Sequence, residues 1–396
     1  MAAIRLALLV AFAALLASGG AEAKVYVEWR PRMSLMGGYD NNVQLNGTGG
    51  DGFGQAVPGL KLDLFGEHDL HLDADCQAGI AQLVHPQEFG LTSGAFASNE
   101  TCMVGTRARL STRDKLQLRA NATYARDPFS IAYLGLLLRP GQTEIFVARL
   151  QAEIAHALGP RTEIDYGIEG RALAFGSNDP GNGYVLAPQA RYAWHTSARS
   201  KWDIGVREQL FFGVGAEVGS PRAPEGAPGG LLDQTHALLL GYTYALAPWA
   251  DLTVRGGGML VTGMVHTAMP TASLTIESYT PSTAISLTVA HDLVIGPSNA
   301  GPLVGDIAEL GVIKEWQHFS GHVRAGIYRN ADVAQVVDVG ALGYGVEAAA
   351  GWKFTRDLKL EFAALRDARL NDVTVAQQVD RNVFQLRLTW EKARFE

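Results

Sequence analysis

The chain has 396 residues, 18% of them charged, and a formal net charge of −7. That balance excludes the basic surface a nucleic-acid partner asks for. Beyond the first two dozen residues, no apolar run of about 18 residues is present to cross a bilayer as a helix. Two cysteines, Cys76 and Cys102, with no histidine cluster beside them fall short of tetrahedral metal ligation, and no cofactor motif appears.

Residues 1–23 read as a secretory signal peptide: Arg5 is the positive region, LALLVAFAALLA (6–17) the apolar core, and Ala21-Glu22-Ala23 the cleavage site. From residue 24 onward one pattern repeats. LKLDLFGEHDLHLDADCQAGIA (60–81) alternates Leu60, Leu62, Leu64, turns near residue 67, then alternates Leu70, Leu72, Ala74, Cys76, Ala78, Ile80. The stretches 102–124, 146–172, 187–212, 237–258 and 341–365 do the same around turns near residues 113, 160, 199, 249 and 356. Period-two alternation with short turns is the signature of antiparallel strands. Cys76 and Cys102 fall on the apolar face of neighbouring strands, where a disulfide and two buried thiols are equally open readings.

The segments number about 18, running from 24–37 to 382–392. The weakest of these strands is TASLTIESY (271–279), with loop as its alternative, and 16 strands remain if it and its partner merge into one irregular segment. Between the short turns lie long stretches rich in Gly, Pro, Asn and Asp, such as NNVQLNGTGGDG (41–52) and GAEVGSPRAPEGAPGG (215–230). The prediction is an all-β chain: one closed antiparallel transmembrane β-barrel over 24–396, with short periplasmic turns and longer extracellular loops.

The face opposite the apolar one carries small residues and charges of both signs. Its candidates for the lumen are Arg107, Arg109, Arg119, Arg149, Glu153, Asp165, Glu169, Arg171, Arg191, Arg207, Arg255, Glu347, Lys353, Lys359, Glu361 and Arg387. Cross-strand ion pairing that stiffens the wall, and a transverse field that guides a solute, are the two roles such a set suggests. The seven tryptophans, Trp29, Trp194, Trp202, Trp249, Trp316, Trp352 and Trp390, all fall near a short turn or a chain end. Trp concentrates there because its ring is apolar while its N–H asks for a polar partner.

With its signal peptide, alternating strands, short turns and long loops, the chain resembles the bacterial outer-membrane β-barrels of the porin-like class. Its last strand resembles the assembly signal of that class: Phe384, Leu386, Leu388 and Trp390 alternate, and Phe395 stands one residue from the end. The resemblance implies a bilayer setting in the bacterial outer membrane, recognition by the outer-membrane assembly machinery, and passage of a polar solute. Export of a saccharide or polysaccharide with periplasmic partners is a specific version. A structural or adhesive barrel acting through its loops is an alternative. An outer-membrane hydrolase is a further one, although no G-x-S-x-G, HExxH or paired-carboxylate motif supports it. The sequence therefore predicts no enzyme and no catalytic residue; His156, between Ile154 and Leu158 on the apolar face, reads as an interface histidine beside the turn at Gly159-Pro160.

Overall fold

The computed structural model describes residues 26–41, 49–67, 69–85, 97–125, 145–174, 183–213, 231–263, 266–295, 302–333, 341–372, 379–392 and 394–395. The predicted signal peptide and the loop 215–230 lie outside the described residues. Eighteen long strands follow one another: β1 (Tyr26–Asp40), β2 (Asp51–Phe65), β3 (His71–Leu83), β4 (Ala97–Arg109), β5 (Asp114–Ala125), β6 (Ile145–Gly159), β7 (Thr162–Ala174), β8 (Gly183–Ser197) and β9 (Ser200–Gly213). The second half contains β10 (Leu231–Ala247), β11 (Ala250–Gly263), β12 (Thr267–Thr280), β13 (Thr283–Ile295), β14 (Pro302–Glu315), β15 (Phe319–Asp332), β16 (Ala341–Lys353), β17 (Leu358–Asp372) and β18 (Val379–Glu391). A two-residue β19 (Arg394–Phe395) then adds to β1, with Phe395 opposite Glu28.

Every long strand pairs antiparallel with its sequence neighbours, and β18 pairs with β1, so the sheet closes on itself. Closure satisfies the edge groups that a bilayer would otherwise leave without partners. The seam carries a buried ion pair: Arg381 Nη2 of β18 lies 2.7 Å from Asp40 Oδ2 of β1, with both side chains shielded from solvent. The count settles at 18 because 267–280 is a strand. Its register with β11, Leu274 opposite Val254 and Ile276 opposite Leu252, is continuous despite small Ala and Ser side chains.

Which face is inside follows from contacts between strands that are not neighbours. Arg207 of β9 reaches Asp292 of β13, four strands away, so the face bearing Arg207 is the interior. Rows of partners then run round the wall. On the exterior, Leu360 faces Leu388, Leu388 faces Leu35, Leu35 faces Ala56 and Ala56 faces Ile80. Connections of two to five residues, such as 160–161, 198–199, 248–249 and 354–357, join strands at one end. The connections at the other end are longer, with the three-residue 264–266 as an exception.

Cys76 and Cys102 form a disulfide between directly opposed positions of β3 and β4, which decides between the two readings of that pair. His156 faces outward in the row of Ile164 and Tyr192, and its Nδ1 lies 2.6 Å from Asp114 Oδ1 across the β5–β6 ladder.

The wall is irregular in one place. The β12–β13 ladder ends with Ala272 opposite His291, leaving Thr267–Thr271 of β12 outside it. Pro270 has no N–H to give to a neighbour, so this end of β12 behaves as an edge. Beyond the split, β13 leans into the lumen. Leu293 packs on Val185, Phe211, Ala237, Met259 and Val261, which line the inner wall of β8 to β11.

Candidate pore-lining site

The exterior is apolar and in the open. Ile327 is 59% exposed, Leu238 57%, Val206 54%, Ile80 52%, Phe362 52% and Leu386 50%. An exposed belt of this size is far beyond what a water-soluble surface tolerates, and closing the sheet leaves these residues no partner but lipid. Aromatic rings mark the short-turn rim of the belt. Tyr192 and Trp194 have ring centroids 5.9 Å apart, Trp202 and Tyr242 4.6 Å, and Phe319 and Trp352 4.4 Å. Towards the long-loop end Tyr184 stacks on Phe212 at 4.6 Å, and Tyr39 stands opposite Phe384. Two aromatic levels bracketing an apolar band are the mark of a transmembrane barrel. The chain is an integral outer-membrane β-barrel.

The fold is the closed antiparallel 18-strand barrel that the sequence predicts, with short turns at one end and longer connections at the other. Ladder register puts all 16 predicted lumen residues on the interior face; Arg107 opposite Gln117, Arg191 opposite Asp165 and Lys359 opposite Thr389 are examples.

The structure gathers some of these residues and leaves others apart. On β6 to β9, Arg191 is a hub: its Nε lies 2.9 Å from Asp165 Oδ2, its Nη2 2.6 Å from the same oxygen and 3.2 Å from Glu153 Oε1. Arg149 Nη2 donates to Glu169 Oε2 at 3.1 Å, and Arg171 bonds the same carboxylate. Arg255 of β11 stands 3.7 Å from Asp203 of β9. Asp165 and Asp203 are only 5% and 2% exposed, so an unpaired charge there would carry the full cost of desolvation. Gly241 makes room for this cluster, since a methyl group at that position would overlap the Asp203 carboxylate. On the opposite wall His322 bonds Glu347 at 3.1 Å, Lys353 bonds Glu315 at 2.9 Å, and Lys359 bonds Glu361 at 2.6 Å. Arg387 lies 3.9 Å from Glu361.

A second group stands unpaired. On β4 and β5, Arg107, Lys115 and Arg119 point into the lumen with no carboxylate in ion-pair range among the described residues, while Arg109 holds Asp69 at 2.6 Å. Seven strands round the wall, Asp251 of β11 and Glu277 of β12 face each other across the ladder near the short-turn end, both exposed and both without a cation in ion-pair range among the described residues. The unpaired cations and the unpaired acids are thus on different parts of the wall, with Asp73 of β3 in the same lumen row as Arg119 through Gly105.

Sequence reading missed three of the interior contacts. Arg32 of β1 bonds Asp75 of β3 at 2.6 Å, Arg324 bonds Glu309, and Arg207 bonds Asp292 at 2.7 Å. The alternation Glu28, Arg30, Arg32, Ser34 already places Arg32 inside. Nothing in the sequence announces that Asp292 reaches β9, because that depends on β13 leaving the wall. Among the described residues no group of three His, Cys, Asp or Glu side chains is placed to hold a metal ion.

No family model and no curated protein matches the chain. Among solved structures it is similar to a BenF-like porin from Pseudomonas fluorescens Pf-5, with TM-score 0.46 and 10% identity over 94% of this chain and 99% of that one. It is also similar to OccAB4 of Acinetobacter baumannii, with TM-score 0.43 and 8% identity over 93% and 98% of the two chains. The ferric yersiniabactin uptake receptor FyuA of Yersinia pestis gives TM-score 0.40 and 11% identity over 94% and 80%. At these values the likenesses carry no argument about substrate.

Proposed function

We propose that this barrel is a non-catalytic pore through which small polar solutes cross the outer membrane. The observation that carries the reading is a lumen face lined by charged and small side chains along its length, in a barrel of 18 strands, a size that leaves an aqueous path through its centre. The 16 lumen residues act in two ways. The paired ones on β4, β6 to β9, β11 and β16 to β18 stiffen the wall, and the unpaired Arg107 and Arg119, with Lys115 beside them, set a preference for anionic solutes.

The leaning end of β13 narrows the path, so passage is selective by size as well as charge. A saccharide route, in import or in export with periplasmic partners, is the finer version of this reading. It is supported by the many small side chains facing the lumen, including Gly343, Gly345, Gly351, Ala349 and Ala363. The exposed alternation of Phe384, Leu386, Leu388 and Trp390 supports the reading of the last strand as a signal for the assembly machinery.

The test is single-channel recording of the refolded protein in a planar bilayer over a range of salt. Stable open steps with a reversal potential on the anion side support the pore, and sugar-dependent interruptions support the saccharide version. A silent bilayer, with folding verified by heat-dependent gel migration, counts against an open pore and in favour of a barrel that acts through its loops.

A further inference from the structure

The outer wall carries a few ion pairs towards its ends, and one cation that belongs to none of them. Arg329 of β15 faces outward in the row of Leu342 and Asp306, with Ile327 beside it on the same face. It is exposed and has no acidic partner among the described residues. Asp306, its neighbour across the ladder, turns instead to His291 of β13, whose Nδ1 lies 2.6 Å from Asp306 Oδ1. The other outward arginine near this end, Arg366, is held by Asp380 at 3.0 Å. Arg329 is thus an outward cation left open to its surroundings.

Its height in the membrane can be read from its own strand. Phe319, 48% exposed in the short-turn aromatic rim, begins β15. Ten residues separate it from Arg329, about 33 Å of extended strand. At the strand tilt usual for such barrels that is about 25 Å of height, the thickness of the apolar band. Arg329 therefore lies at the outer headgroup level, where a cation meets phosphate rather than hydrocarbon.

Directly below it the exterior is hollow. A recess of about 400 Å³ runs over β11 to β16, in which Leu274, Val289, Ile327 and Leu342 stand round the small Ala272 and Ala308. The recess borders the place where β13 parts from β12. A groove of this shape fits extended hydrocarbon chains, and the free guanidinium at its upper end fits an anionic oxygen cluster.

We propose that this recess is a binding site for a phosphate-bearing lipid of the outer leaflet, its acyl chains in the groove and its phosphate on Arg329. The site is on the exterior and is independent of whether the lumen conducts. Binding there braces the wall at its one break in the ladder.

The test is native mass spectrometry of the detergent-solubilised barrel with dimyristoyl phosphatidate and, separately, dimyristoylglycerol. Wild-type protein is expected to retain phosphatidate over the glycerolipid. Arg329→Ala should lower phosphatidate retention by about fivefold, the loss of one exposed cation–phosphate contact. Arg329→Lys should keep most of it, and Arg366→Ala should leave it unchanged. Each protein is first checked for folding by heat-dependent gel migration. Equal retention of both lipids, or equal phosphatidate retention by wild type and Arg329→Ala, overturns the proposal. So does efficient disulfide cross-linking between copies carrying Ala308→Cys, because the groove would then be occupied by a second barrel.

Discussion

Arg207 Nη2 on β9 and Asp292 Oδ1 on β13 are 2.7 Å apart, although three strands lie between them round the wall. A barrel that was round at this height would hold these side chains too far apart to touch. The contact therefore fixes how far β13 leans inward, and it works together with the packing of Leu293 on Val185, Phe211 and Met259. Asp292→Ala removes the polar half of that hold. The expected result is a larger single-channel conductance with more open-channel noise, while Arg191→Ala, whose partners Asp165 and Glu153 are one and two strands away, changes conductance less. A double-mutant cycle of Arg207→Gln and Asp292→Asn, read by urea unfolding in detergent, should give a coupling of about 1 kcal/mol. A coupling near zero would mean that the apolar packing alone positions β13.

The unpaired charges predict an ion preference with a direction. Arg107→Glu with Arg119→Glu replaces two free cations of the lumen wall by acids, and the reversal potential in a salt gradient should move towards cation preference. Asp251→Asn with Glu277→Gln should move it the opposite way. The paired Arg149 should matter less, because its charge is already answered by Glu169 at 2.9 Å. Equal and small shifts for all three variants would mean that the wall charges are structural and that selectivity is set elsewhere.

Depth dependence tests the inside–outside assignment. Leu386 is 50% exposed near the middle of β18, between the Trp390 rim and the outer end of the strand. An arginine there should cost roughly 2–4 kcal/mol, and the same change at Leu360, two positions into β17, only about 0–1 kcal/mol. Lys359→Leu, which gives up a lumen contact with Glu361, should assemble normally. Yields of heat-modifiable barrel in the outer membrane read all three. If Lys359→Leu proved worse than Leu386→Arg, the two faces would have been exchanged.

How much of this was legible in the sequence depends on what alternation encodes. A period of two reports which face a side chain takes, so the lipid belt, the lumen candidates and the turn-side tryptophans can be read before any coordinates. Alternation weakens where the outer face is built of small residues. That is why 271–279, with Ala272 and Ser278 on its outer face, is the weakest of the predicted strands, although it folds as one. It carries no information about contacts across the lumen. Arg207 was visible as an interior residue, but its partner was not, because the inward lean of β13 comes from a ladder that stops near Pro270 and from packing between distant strands. The free Arg329 was overlooked for a related reason: one charge at the end of an apolar alternation looks like the edge of a strand until its height on the wall is known.

The disulfide offers the last test, one that separates the wall from the lumen. Cys76 and Cys102 face each other on the exterior of β3 and β4 and close a segment with a sequence separation of 26. Cross-linking a loop of that length stabilises by about 3 kcal/mol when its effect is on the unfolded chain. Both positions are on the outer face, so alanine suits them better than serine, whose hydroxyl would be brought towards lipid. The double variant Cys76→Ala/Cys102→Ala should unfold at lower urea in detergent by an amount corresponding to that figure, and reductant should destabilise wild type to a similar extent but leave the variant unchanged. Conductance and ion preference should be the same with and without the bond, because no lumen side chain depends on it. A change in conductance without a change in stability would mean instead that the bond between β3 and β4 acts on the lumen through the wall.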